Sequence, residues 1–244
     1  MPLFRITSPL LEKQQSSEEL SRPEYQPACR LVSLFTPCDN YEETIDLALK
    51  LGRKAASYGE TVLILDAVDG ALMNKAGIIY ARTLADVTNG TAEQKDALYV
   101  TSNEHFTAGA LGENYLEKAL GVIAALSLSY DWVFVVPKAG CETAHIHLGQ
   151  ASDVSIMTYQ TQSDRFMRAY WMVDALRCKS PKFDPLILST GEKSDAVETA
   201  LMLSETIREH LGAPPPYVGH ADDLHLESRL LETLRERADR LAVA

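Results

Sequence analysis

Arg30-Leu31-Val32-Ser33-Leu34-Phe35, and further on Thr61-Val62-Leu63-Ile64-Leu65-Asp66, bracket the stretch whose reading decides the fold. Leu31–Phe35 and Thr61–Leu65 are short apolar runs that predict two buried strands. Between them Tyr41, Ile45, Ala48, Leu49, Ala55 and Ala56 form an apolar stripe at helical spacing, and Gly59 stands where a helix C-terminus wants a glycine. Strand, helix and strand in this order make a parallel βαβ unit. The first turn of such a unit is where α/β proteins hold phosphates.

A turn that cradles phosphate needs glycines, so that backbone N–H groups can approach the anion, and a lysine to neutralise it. This turn reads Thr36-Pro37-Cys38-Asp39-Asn40-Tyr41-Glu42-Glu43-Thr44, with no glycine and no lysine. Asn40 followed three residues later by Glu43 predicts a capping box, which uses the free N–H groups internally. Asp39, Glu42 and Glu43 suit the positive end of the helix dipole and would repel a triphosphate. On this reading the helix start caps itself.

Working outward, Leu116 to Leu128 is apolar at helical spacing and is followed by the strand Trp132–Val136 and a loop, Pro137-Lys138-Ala139-Gly140. Ser155–Tyr159 and Pro185–Ser189 read as strands, and Asp164–Arg177 and Ala196–Leu211 as helices, the last stopped by Gly212 and Pro214-Pro215-Pro216. Alternation at this spacing predicts an α/β fold, a mostly parallel twisted sheet with helices on both faces. The expected organisation is an N-terminal arm over 1–28, one α/β domain over 29–221, and a C-terminal amphipathic helix over 222–244. The arm carries Pro2-Leu3-Phe4-Arg5-Ile6 and Leu10-Leu11 within a Ser-, Glu- and Gln-rich setting, and is expected to be a loose terminus.

The 244 residues suffice for one substantial core. With 34 acidic against 23 basic residues the formal net charge is −11, which argues against general nucleic-acid binding. Cys29, Cys38, Cys141 and Cys178 contain no C-x-x-C pair, so reduced thiols and a cytoplasmic setting are expected. No apolar run approaches the ~20 residues of a membrane span, and the N-terminus lacks signal-peptide character.

Over roughly residues 30–222 the order of segments resembles the MinD/ParA family of P-loop ATPases, and within it the MinD-type flagellar-number regulators (the FlhG group). The resemblance is carried by Val62–Asp66 with Gly70 and Asn74, by Thr83-Leu84-Ala85-Asp86-Val87 with Gly90, by Tyr130–Val133 with Ala139-Gly140, and by Thr161–Phe166. Bacterial tyrosine autokinases carry a similar Thr-Leu-Ala-Asp-Val stretch. The resemblance implies a P-loop fold, but the family's chemistry falls on altered residues. The Lys-Gly-Gly-Val-Gly-Lys-Thr motif of the family lies over Asp39 to Ile45. The lysine that reaches a partner's ATP falls on Asp39, the phosphate-binding lysine on Thr44 and the magnesium-binding hydroxyl on Ile45. The second carboxylate after Asp66 falls on Val68, and that of the next strand on Val136. Phosphoryl transfer needs positioned magnesium, charge neutralisation and an oriented water, and each has lost a residue here. No cofactor is therefore expected, and Asp66, the residual carboxylate, is read as facing solvent or a helix N-terminus. Asp86 reads as a turn or helix hydrogen-bonding residue.

Cys141 and His145, four apart, would share one face of a helix, and a thiolate with an imidazole suits zinc. His147 cannot share that face and no fourth ligand lies nearby, so solvated loop histidines are expected and no metal is assigned. A Cys141–His145 nucleophile oriented by Glu142 finds no support elsewhere in the sequence. In the C-terminal segment Leu224, Leu231, Ala238 and Leu234, Leu241 form a heptad-like seam, with Leu230 beside it. Its six acidic residues against four arginines suit an anionic membrane poorly, so packing on its own domain ranks first, a partner or self-association second and membrane docking third.

Together with the altered motif residues, the resemblance implies a catalytically silent MinD/ParA-like scaffold, not an enzyme, acting through protein contacts; a place in flagellar number or placement, or in a related polar or division apparatus, is implied by the resemblance alone. A homodimer is compatible with it. The expected contact surface comprises Asp39, Tyr41 and Glu42, the loop residues Lys138 and Glu142, and Leu224, Leu231 and Leu234. A nucleotide switch with a rebuilt phosphate site and a metal-dependent enzyme at Cys141–His147 are the competing readings.

Overall fold

The fold is taken from a computed structural model, which describes residues 29–38, 41–101, 105–113, 115–160, 163–181 and 183–243. The arm over 1–28, Asp39, Asn40 and the Thr161-Gln162 pair lie outside the described residues.

The sheet grows from the βαβ unit. β1 (Arg30–Phe35) leads through α1 (Glu42–Ser57) to β2 (Val62–Ala67). Then come α2 (Ala71–Lys75), α3 (Leu84–Thr88), α4 (Gln94–Ala97) and the short strands β3 (Tyr99–Val100) and β4 (Thr107–Ala110). α5 (Leu116–Ser127), β5 (Trp132–Pro137), α6 (Thr143–Ala151), β6 (Val154–Gln160) and α7 (Ser163–Lys179) follow. β7 (Leu186–Thr190), α8 (Ala196–Leu211), β8 (Tyr217–His220) and α9 (Leu226–Val243) complete the chain. The eight strands lie in the order β3-β4-β2-β5-β1-β6-β7-β8, all parallel except β3, which runs antiparallel to β4.

Side-chain alternation divides two cores. Val62, Ile64, Trp132, Phe134 and Val136 face α1, α2 and α9, while Leu63, Leu65, Val133 and Val135 face α3, α5, α6, α7 and α8. Burial on both faces is why these strands read as continuous apolar runs. The one hydroxyl in the middle of β1, Ser33, is matched across the ladder by Ser155 Oγ at 2.8 Å. α1 ends in a Schellman turn: Gly59, at φ 83°, donates to the Ala56 carbonyl and Glu60 donates to that of Ala55.

α9 packs back on its own domain. Leu226, Leu230, Leu231 and Leu234 are buried in the same core as α1, and Arg235 and Arg237 pair with Glu60 and Asp184 at 2.7 and 3.1 Å. This corrects the reading of Leu231 and Leu234 as partner contacts, since both are at 0 % exposure. Leu224 is also not part of the seam: it precedes the helix and is 81 % exposed. Among the described residues no helix is long and apolar enough to cross a membrane.

Candidate functional site

The C-terminal ends of β1, β2 and β5 carry three loops that meet at one edge of the sheet. The first is the β1–α1 turn. Thr36 Oγ1 donates to the Cys38 carbonyl at 3.2 Å and accepts from the Cys38 N–H at 3.4 Å, folding Thr36-Pro37-Cys38 on itself. Tyr41 precedes α1 in helical conformation and makes no side-chain cap itself. The expected Asn40–Glu43 capping box lies outside the described residues, since Asn40 does; the Glu43 carboxylate accepts from Gln160 Nε2 of β6.

Thr44, in the first turn of α1, points into the fold. It is 1 % exposed, and its hydroxyl lies 2.6 Å from that of Thr158 on β6. Thr158 in turn donates to the Phe35 carbonyl at 3.2 Å, so Thr44 is the donor of the pair. The space enclosed by Thr36, Cys38, Glu43, Thr158 and Arg165 is only about 10 Å³, enough for no more than a single water.

The second loop follows β2. Asp66 is 1 % exposed, not solvent-facing, and its carboxylate accepts from the N–H groups of Val68 (2.7 Å), Gly70 (3.3 Å) and Met73 (2.9 Å). It thereby anchors the turn into α2. Burial pushes its pKa up against the pull of those N–H groups. Asp86 closes a capping box with Thr83 at the start of α3.

The third loop follows β5 and ties the other two together. Lys138 Nζ pairs with Asp69 of the second loop at 2.6 Å, and the carboxylate raises the lysine pKa. The Ala139 N–H donates to Tyr41 Oη at 3.2 Å, joining this loop to the start of α1. His145 is not a solvated loop residue: it sits in α6 at 5 % exposure, with Nε2 2.9 Å from the Lys138 carbonyl. A carbonyl only accepts, so Nε2 carries the hydrogen. Cys141 is exposed and lies ahead of α6, so Cys141 and His145 do not share a helix face. Among the described residues no group of three or more His, Cys, Asp or Glu is arranged to hold a metal.

Of the predicted contact residues, Tyr41 and Lys138 are half-buried at this edge and Glu42 and Glu142 are exposed. Sequence reasoning missed Asp69, Tyr115, Thr158, Gln160 and Arg165. Thr158 and Gln160 left a trace as polar residues alternating at the end of an apolar strand; Tyr115 left none. Between the ends of β2 and β5 and the starts of α5 and α6 lies an open cavity of about 320 Å³.

No protein-family model matches this chain, and no curated protein matches it. Solved structures do. MinD cell division protein of Aquifex aeolicus superposes with a TM-score of 0.61 at 19% identity, over 88% of this chain and 98% of that one. A MinC:MinD complex from the same organism gives 0.63 at 20%, over 88% and 96%. Cobyrinic acid a,c-diamide synthase of Mycobacterium smegmatis, with bound ATP analog and magnesium, gives 0.62 at 14%, over 88% and 94%. Identities this low show the fold alone: a three-layer α/β architecture shared with MinD.

Proposed function

We propose that this chain is a MinD/ParA-fold regulator that works without ATP, as a platform for protein partners. The observation that carries the reading is Thr44, buried and bonded to Thr158, beside a space of only about 10 Å³ lined by Thr36, Cys38, Glu43 and Arg165. The turn has neither glycine nor lysine, and Glu42 and Glu43 oppose an anion at the helix start. The three edge loops are tied by Lys138–Asp69 and Ala139–Tyr41, which gives a fixed surface of Tyr41, Glu42, Lys138 and Glu142. A similar fold is known in complex with a protein, MinC. The flagellar or division-related role rests on the sequence resemblance.

One observation favours the second reading, a switch with a rebuilt phosphate site. Arg165 lines the small space by the turn, and its Nη1 is buried without a hydrogen-bond partner among the described residues. Light scattering of the full chain during size-exclusion chromatography, with and without Mg-ATP, separates the two. The platform reading expects one mass under both conditions; a nucleotide-induced doubling supports the switch. In the source cell, the platform reading expects Lys138→Glu to reproduce the deletion phenotype in flagellar or division placement.

A further inference from the structure

A larger cavity, of about 640 Å³, opens at the other end of the sheet, where β6 begins and α6 and α7 end. We propose that it is a groove for the chain's own N-terminal arm, which it seats through Leu3, Phe4, Arg5 and Ile6.

Position singles out the arm. It joins the described chain at Cys29. Two residues on, the Leu31 N–H donates to Asp153 Oδ2 at 2.8 Å and the Asp153 N–H donates to the Leu31 carbonyl at 2.9 Å. Asp153 belongs to the groove wall, so the arm is rooted beside the groove. A polar tether as long as residues 7–28 spans about 25 Å r.m.s. and holds its end near its root at roughly millimolar concentration. The cavity between the β2 and β5 ends lies beyond the far end of β1, about 20 Å away.

The chemistry of the wall selects one part of the arm. Ala151, Val154 and Phe183 make the wall partly apolar. Asp184 is already paired with Arg237, at 3.1 Å. Asp153 is half-buried and has no ion pair among the described residues. Burial pushes its pKa up, and the Leu31 N–H and nearby Arg30 only partly oppose this. The groove therefore favours an apolar segment carrying one cation. Arg5 is flanked by Phe4 and Ile6, whereas Lys13 lies between Glu12 and Gln14 and Arg22 between Ser21 and Pro23. Leu10-Leu11 is apolar but is followed by Glu12, which Asp153 would repel. Seated by Leu3–Ile6, the arm sets a guanidinium against Asp153 and apolar side chains against Val154 and Phe183. The groove lies at the opposite edge of the sheet from the β1–α1 turn, and its occupant does not depend on how that turn is read.

The test places the photoreactive aromatic p-benzoylphenylalanine at position 4 of the full chain and maps the cross-links by mass spectrometry. Cross-links within one chain to residues 149–155 or 180–184 are expected. Arg5→Gln and Asp153→Asn should each lower their yield about fivefold, and the two together no further, because they remove one interaction. Asparagine keeps an oxygen for the Leu31 N–H, and melting of each variant confirms that it is folded. Ala151→Trp, at an exposed position, should lower the yield as much by filling the groove. Cross-links to other segments, cross-links only between chains, or none at all would overturn the proposal. So would a yield unchanged in folded Asp153→Asn and Ala151→Trp chains.

Discussion

Thr44 joins the start of α1 to β6 through one side chain. Because it donates to Thr158, whose own proton goes to the Phe35 carbonyl, Thr44→Val should cost about 1 kcal/mol in urea unfolding. Thr44→Lys places an ammonium at a position 1 % exposed and opposite a hydroxyl. It should destabilise more than valine does, with or without ATP, and should yield no phosphate release above the unmodified chain. Asp66 offers a titration test. Burial holds it above its ordinary 3.8, so the folded chain keeps this proton more tightly than the unfolded chain. Its contribution is greatest below 3.8 and is lost as pH rises through the folded value. Asp66→Asn should flatten that part of the stability curve. It should also lower stability at neutral pH by about 1–3 kcal/mol, since an amide nitrogen would face a backbone N–H that now meets an oxygen. Parallel denaturant titrations of both chains across acid pH check both points.

Among the elements, the β2–α2 turn depends on a backbone that only glycine tolerates well. Gly70 sits at φ 86°, and a Cβ there would run into the Tyr80 hydroxyl. Gly70→Ala should cost about 1–3 kcal/mol, and a Tyr80→Ala background should recover the steric part while leaving the cost of the positive φ. α9 is held by buried leucines, so Leu234→Ala should cost about 2–5 kcal/mol by the same measurement. How far the sequence could be read depended on the element. β1, β2, β5, β6 and β7 were legible because burial on both faces makes them continuous apolar runs, and α8 because its apolar face and Gly212 mark its limits. β3 has two residues and β4 reads Thr-Ala-Gly-Ala, too short and too small in side chain to register as apolar. Of the site, the sequence displayed only a β1–α1 turn without glycine or lysine. That Thr44 would turn inward to Thr158, that Asp69 would meet Lys138 and that His145 would be buried are pairings between distant segments, which local pattern does not encode.

At the scale of the whole molecule, the C-terminal edge of the sheet is drawn together by contacts among its own loops. Lys138 and Asp69 are 36% and 51% exposed at the side chain, so their ion pair adds little to stability. Lys138→Met should therefore shift unfolding by less than about 1 kcal/mol, and any larger effect on partner capture would belong to the surface and not to the fold. The central claim is that this surface is complete without nucleotide. Calorimetric titration of the full chain with Mg-ATP, paired with melting at the same concentrations, tests it most directly. The account predicts no heat and no change in melting temperature up to millimolar nucleotide. Saturable micromolar binding with a rise in melting temperature would contradict it.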